Sequence, residues 1–246
     1  PHRRMPPTPA PLAMRERSPL RQLWLLTVVC LLCLLAWDFS GLDMRVMQTI
    51  ADQRGFGLRS NWWLEKVLHD WARQVAVLIY LALLAMIWLP FGRFRPLRKM
   101  QRVEIFVGIT LSLLFINLVK RYSLTSCPWD LAEFGGVARY VSHWQWGMGD
   151  GGGGQCFPGG HASSAMAFLA LSLPWLSSGI TAQRRRGWRM LIVVFALGVV
   201  LGGVQTLRGA HYPSHTLWTG LMCWTMALVN HMAFAWLARK KDRPVH

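Results

Sequence analysis

The sequence predicts an all-α integral membrane protein with six transmembrane helices and an outer-surface helical segment between the first two. Three observations carry this. The 246-residue chain is 53% hydrophobic and only 15% charged, whereas ordinary globular chains are about a quarter charged. Six stretches are apolar over roughly 17 to 25 residues, the length that crosses a hydrocarbon layer about 30 Å thick. The basic residues also alternate in density from one loop to the next, as they do in a multi-pass protein. Such segments would aggregate in water, so the composition excludes a soluble enzyme, a small disulfide scaffold and a disordered tail.

The spans are expected at 22–37, 75–91, 103–119, 162–178, 188–207 and 216–238. Residues 1–21 read as a Pro-rich N-terminal tail, 22–238 as one membrane domain, and 239–246 as a C-terminal tail. The first apolar run is too long for a cleavable signal peptide and is followed by no small-residue cleavage site, so it should remain as a span. Segment 41–74 mixes charges with apolar residues at helical spacing, which predicts one or two helices lying along the outer surface. Trp24, Trp37, Trp88 and Trp188 fall near span ends, where an amphipathic ring sits well among lipid headgroups.

The net charge of +16 resolves once the positions are read. Of 27 Lys and Arg residues, 18 fall in the two tails, in Arg93–Arg102 between the second and third spans, and in Arg184–Arg189 between the fourth and fifth. The other side receives nine: Arg45, Arg54, Arg59, Lys66, Arg73, Lys120, Arg121, Arg139 and Arg208. By the positive-inside rule both termini are cytoplasmic in a cell (inner) membrane, and most of the excess charge is topological. A nucleic-acid partner loses its support, because no basic stripe carries interleaved aromatics. The partner implied by composition is the bilayer.

Three polar clusters sit at the outer ends of the spans, where membrane proteins keep polar residues that function needs. The third span ends in Lys120-Arg-Tyr-Ser-Leu-Thr-Ser-Cys127-Pro128. The fourth is entered through Cys156-Phe-Pro158-Gly159-Gly160-His161. The fifth and sixth are joined by Gln205-Thr-Leu-Arg208-Gly-Ala-His211-Tyr-Pro-Ser-His215. Helix parity puts all three on one face, although they are separated by about ninety residues of chain.

This arrangement resembles the type-2 phosphatidic acid phosphatase superfamily, whose pattern is Lys-x6-Arg-Pro, then Pro-Ser-Gly-His, then Ser-Arg-x5-His-x3-Asp. Lys120, Pro128, Pro158, Gly160, His161 and His211 match. Cys127 stands where the pattern has Arg, Gly159 where it has Ser, Gln205 where it has Arg and His215 where it has Asp. The resemblance spans residues 75–238 and implies a metal-independent lipid phosphate or pyrophosphate phosphatase without cofactor. Its substrate would be a lipid phosphate such as phosphatidic acid, phosphatidylglycerophosphate, a polyprenyl pyrophosphate or a lipid A phosphate.

The resemblance implies His211 as nucleophile, forming a phosphohistidine, and His161 as general acid; both suit imidazole. Lys120 would clamp the phosphate as a point charge. The turn at Gly159 and Gly160 is expected to present backbone N–H groups to the anion at a helix N-terminus. Arg208 lies one helical turn beyond Gln205 and is expected to replace the missing arginine, with Arg121 as a reserve. The pattern's Asp would accept the Nδ1–H of His211, as in a hydrolase triad; here either His215 takes that role or Asp130, Glu133 or Asp150 does.

Cys127 and Cys156, both on the oxidising side, are expected to form a disulfide across about thirty residues, worth on the order of 3 to 4 kcal/mol. Gly147–Gly154 reads as a flexible hinge, with a phosphate-binding nest as the other reading. Glu104, Asn117 and His231 read as structural groups within spans. Other readings remain open: phosphotransfer to a second lipid, a non-catalytic lipid-binding or transporting relative, and zinc on His211, His215 and His161. Haem or another metal on those histidines together with His231 is the most distant of them.

Overall fold

A computed structural model describes residues 19–52 and 54–241. Residues 1–18 of the N-terminal tail and 242–246 of the C-terminal tail lie outside the described residues. Among those described the chain is helical, with no strand beyond two isolated bridges. Five helices are long and apolar enough to cross a membrane: Pro19–Phe39, Trp63–Met86, Lys99–Tyr122, Thr181–Leu207 and Pro213–Lys240.

The first is α1, Pro19–Phe39. A short helix, α2, Leu42–Ile50, follows after Gly41, and among the described residues of segment 41–74 it is the only separate helix. The second long helix opens as a π-helix over Trp63–Trp71 and continues as α3, Ala72–Met86. The span expected at 75–91 therefore begins about three turns earlier, and residues 63–74 belong to it. The charges that made them look like a surface segment have local or tertiary partners: Lys66 pairs with Asp70 at 3.1 Å, one turn on, and Glu65 pairs with Arg208.

The third long helix, α4, covers Lys99–Tyr122. The stretch expected to be a fourth span is a jointed run: α5, Gly160–Met166, a 3-10 segment, Ala167–Ser172, and α6, Leu173–Leu176, which has Pro174 in its first turn. Proline removes an intrahelical donor, and the tighter segment lies just before it. The 3-10 rise of about 2.0 Å per residue stretches these residues to about 28 Å, near the hydrocarbon thickness of about 30 Å. This run is also the most enclosed among the described residues; Met166, Ala167, Leu169, Leu173 and Leu176 are all at most 2% exposed.

Around it stand α4, α7 (Thr181–Leu207) and α8 (Pro213–Lys241). Small residues allow the close approach. At Gly202 of α7 an added Cβ would lie 2.2 Å from the Thr216 side chain of α8, so only glycine fits. Outward faces carry Leu25, Leu78, Ile192 and Val193, each about half exposed or more.

Two polar residues set aside as structural find each other. His231 Nδ1 of α8 lies 2.6 Å from Glu104 Oε1 of α4, and Asn230 donates to the Glu104 carbonyl. The pair ties α4 to α8 at the end of the bundle opposite the motif clusters.

Residues 123–159 form an irregular cap over the other bundle end, with its own apolar cluster of Met47, Phe56, Leu131, Phe134, Ala138 and Tyr212. A second anchor is Asp38 at the end of α1. Its Oδ2 accepts from Trp218 Nε1 at 2.8 Å and Trp144 Nε1 at 3.1 Å, and lies 3.3 Å from His143 Nε2. His143 in turn stacks on Phe157, with centroids 4.2 Å apart.

Candidate active site

The three motif clusters converge where α4 ends, α5 and α8 begin, α7 ends and the π-helix opens. A cavity of about 280 Å³ there is lined by Glu65, Lys120, Cys127, Trp129, His161, Gln205, Arg208, Ala210 and His211.

The turn that delivers Arg208 and His211 is built by Gly209. Its φ of +76° is a left-handed conformation that ends α7. Ala210 N–H donates to the Gln205 carbonyl at 2.8 Å and Gly209 N–H to that of Thr206 at 2.9 Å. Phe56 covers the turn so closely that a Cβ on Gly209 would lie 2.2 Å from its ring.

His211 is 4% exposed, and its ring centroid is 6.1 Å from that of His161. Cys127 and Cys156 are joined, with Cα atoms 5.1 Å apart. Cys156 Sγ, which as a disulfide sulfur carries no proton, sits 3.3 Å from His211 Nδ1 and 2.9 Å from the Ala210 carbonyl oxygen. The bridge thus backs the Nδ1 edge of His211 and leaves Nε2 as the nitrogen away from the sulfur. Cys127, Cys156 and His211 place three ligand-type atoms within 4.8 Å of one another, but the bridge occupies both sulfurs and no thiolate is available to a metal.

His215 is placed differently from the carboxylate role considered for it. Its ring is 5.9 Å from that of His211 and it does not line the cavity. Its Nδ1 faces the Cys156 carbonyl at 3.0 Å; a carbonyl only accepts, so Nδ1 carries the proton. The His215 carbonyl accepts from Gly159 N–H at 3.1 Å, and Thr219 Oγ1 donates to the carbonyls of both Gly159 and His215. His215 therefore staples the turn carrying Gly159, Gly160 and His161 onto α8.

That staple corrects one expectation. The Gly159 amide is spent on His215 and does not face an anion. Gly160 remains at the first turn of α5, packed against Lys120, whose Cδ and Cε would lie 3.4 Å from a Cβ there. Lys120 donates to the Gln155 carbonyl.

Arg208 is 7% exposed. Its Nε donates to the Arg59 carbonyl at 3.0 Å, a terminal nitrogen lies 3.3 Å from Gln205 Oε1, and another lies 3.6 Å from Glu65 Oε2. Arg59 itself lies over the Trp129 ring at 4.7 Å. Gln205, 1% exposed, keeps Nε2 without a hydrogen-bond partner among the described residues. Arg121 is exposed and outside the lining.

None of the three carboxylates considered lines the cavity. Asp150 accepts from Ser126 N–H at 2.6 Å, Ser126 Oγ at 2.7 Å and Gly152 N–H at 3.0 Å, so the glycine run is a tethered turn and not a free hinge. Glu133 accepts from Gln48. The carboxylate that does line it is Glu65, which the sequence does not single out, because its partner Arg208 is 143 positions away and its segment has the charge pattern of a surface helix. Beside the site, burial first and then Tyr140 and Asp43 push the Tyr212 phenol far above its ordinary value, so it stays protonated.

Helices long and apolar enough to cross a membrane surround a cavity lined by two histidines, a lysine and an arginine, side chains whose chemistry suits an oxyanion beside imidazole. The family comparison makes this specific. A model of the PAP2 superfamily matches residues 102–239, more than half of the chain and all three clusters, and the chain belongs to that superfamily, the type-2 phosphatidic acid phosphatases. Its members are generally phosphatases acting on phosphate esters. No match was found among the curated proteins or the solved structures.

Proposed function

We propose that the protein hydrolyses phosphate or pyrophosphate esters of membrane lipids at the outer leaflet, through a phosphohistidine on His211 and without a metal. In this reading the 160–176 run is a sixth crossing, both termini are cytoplasmic and the cavity opens at headgroup depth. The observation that carries it is the joining of His161, His211, Lys120 and Arg208 around one cavity.

The phosphoryl group sits against Lys120 and Arg208, with the unpartnered Gln205 amide as a neutral donor to one equatorial oxygen. His211 Nε2 attacks phosphorus in line while the ester oxygen leaves and takes a proton from His161. Water then attacks the phosphohistidine, giving its proton to His161 and releasing phosphate. The disulfide sulfur and the Ala210 turn hold the His211 ring in place during both steps.

Phosphate release from a panel of lipid phosphates, with and without chelator, tests this in wild type, His211→Ala and His161→Ala. The expected result is chelator-insensitive release by wild type and background release by both variants. Equal background rates in all three would identify a non-catalytic relative. Loss of substrate phosphate into a second lipid, without free phosphate, would identify a phosphotransferase.

A further inference from the structure

At the opposite end of the bundle a second cavity, of about 290 Å³, is lined by Arg93, Ala182, Arg186, Arg189 and Met190. Arg93 comes from the short 3-10 turn Gly92–Phe94 between α3 and α4. The others lie on one face of the first turns of α7, at spacings of three and four residues. Chain segments some ninety residues apart thus bring three guanidinium groups to one hollow.

Three features make this more than the general basic excess of a cytoplasmic face. Among the described residues none of the three arginines has an ion-pair or hydrogen-bond partner, so their guanidinium donors are open to an anion. The cavity includes Ala182 in the first turn of α7, and the N-cap residue Ile180 offers no side-chain cap, so the helix dipole adds to the positive potential. Neighbouring Arg184 and Arg185 belong to the same basic run but do not line the hollow.

Its depth identifies the source of a ligand. The 27 residues of α7 measure about 40 Å at about 1.5 Å per residue, against a hydrocarbon layer of about 30 Å. The excess of roughly two turns is shared between its ends, and the basic run Arg184–Arg189 with the exposed Trp188 puts this end at headgroup level. Met190 forms the apolar wall on the side toward the bilayer interior.

We propose that this cavity binds the phosphate group of an anionic inner-leaflet lipid, held by the Arg93, Arg186 and Arg189 guanidinium groups at the N-terminus of α7. Guanidinium forks match phosphate oxygens bidentately, which an ammonium group cannot do. The site is separate from the His211 cavity, so its failure and that of the proposed phosphatase reaction are distinguishable.

The test is native mass spectrometry of the purified full chain, equilibrated with mixed phosphatidylglycerol and phosphatidylcholine and then partly delipidated. Wild type is expected to retain phosphatidylglycerol over phosphatidylcholine. Arg93→Gln/Arg186→Gln/Arg189→Gln should lower that retention at least about tenfold, with hydrolysis at the other cavity unchanged. The triple Lys variant preserves charge and topology but loses the fork, and should also retain less. Arg184→Gln/Arg185→Gln should behave as wild type. Equal loss in that control, or full retention by the Lys variant, would show diffuse attraction and overturn the site. Displacement of the lipid by equimolar inorganic phosphate would overturn the lipid as its ligand.

Discussion

Removing the Cys127–Cys156 bridge perturbs stability and chemistry separately, and each effect can be sized. The cysteines are 29 residues apart, for which loop-closure entropy gives about 12 cal/mol/K, or about 3.6 kcal/mol near 25 °C. At about 2–4 °C per kcal/mol for a chain of this size, the midpoint should fall by about 7–14 °C. The catalytic effect arises because Cys156 Sγ lies 3.3 Å from His211 Nδ1: without the bridge the imidazole loses its backing and turnover per folded molecule falls. The assay is thermal unfolding in detergent of Cys127→Ser/Cys156→Ser and of dithiol-reduced wild type, with phosphate release measured well below both midpoints. Free thiols in the unreduced protein, or an unchanged midpoint in both samples, would refute the structural role. A lowered midpoint with unchanged turnover would refute the positioning role alone.

Other substitutions follow from single contacts. Gly209→Ala puts a Cβ into the Phe56 ring at a positive φ and should cost at least about 2 kcal/mol, read as a lower unfolding midpoint. Thr219→Val removes the hydroxyl that caps the carbonyls of Gly159 and His215; a loss of about 1–3 kcal/mol and a lower kcat are expected, both measurable on the purified variant. Glu65→Gln frees Arg208 from a competing carboxylate and should lower KM a few-fold, a shift that high salt should shrink. Gln205→Leu should raise KM for phosphate esters by about five- to tenfold through loss of one donor, and Gln205→Arg should lower KM below wild type.

Much of the architecture was legible because the length and apolarity of a helix can be read directly from the chain. A helix in hydrocarbon must be long and apolar, which placed α1, α4 and α8 within a few residues at each end, and α7 at its C-terminal end only: it starts at Thr181, seven residues before the expected span, because its first turns are rich in arginine. The convergence of Lys120, His161, Arg208 and His211 on one cavity agrees with the common face that helix parity predicts for the three clusters. What escaped the sequence were pairings between distant segments. Glu65 and Arg208 are 143 positions apart and Glu104 and His231 are 127 apart. Each looked isolated along the chain, and Glu65 moreover sat in a stretch whose charges disguised the start of a long helix. His215 occupied the right position for a partner of His211, but spacing cannot show which way a ring turns, and it turns toward Cys156 instead. The glycine run read as a hinge because composition does not reveal that Asp150 and Ser126 hold it down.

The claim on which the rest depends is that His211 Nε2 takes the phosphoryl group. Rapid acid-free quenching of the enzyme during turnover of a phosphorus-labelled lipid phosphate, followed by peptide mapping, measures this directly. The account predicts an acid-labile, base-stable label on the peptide bearing His211, absent from His211→Ala and turning over when unlabelled substrate is added. Steady phosphate release with no label on the protein, or label on a residue other than His211, would contradict it.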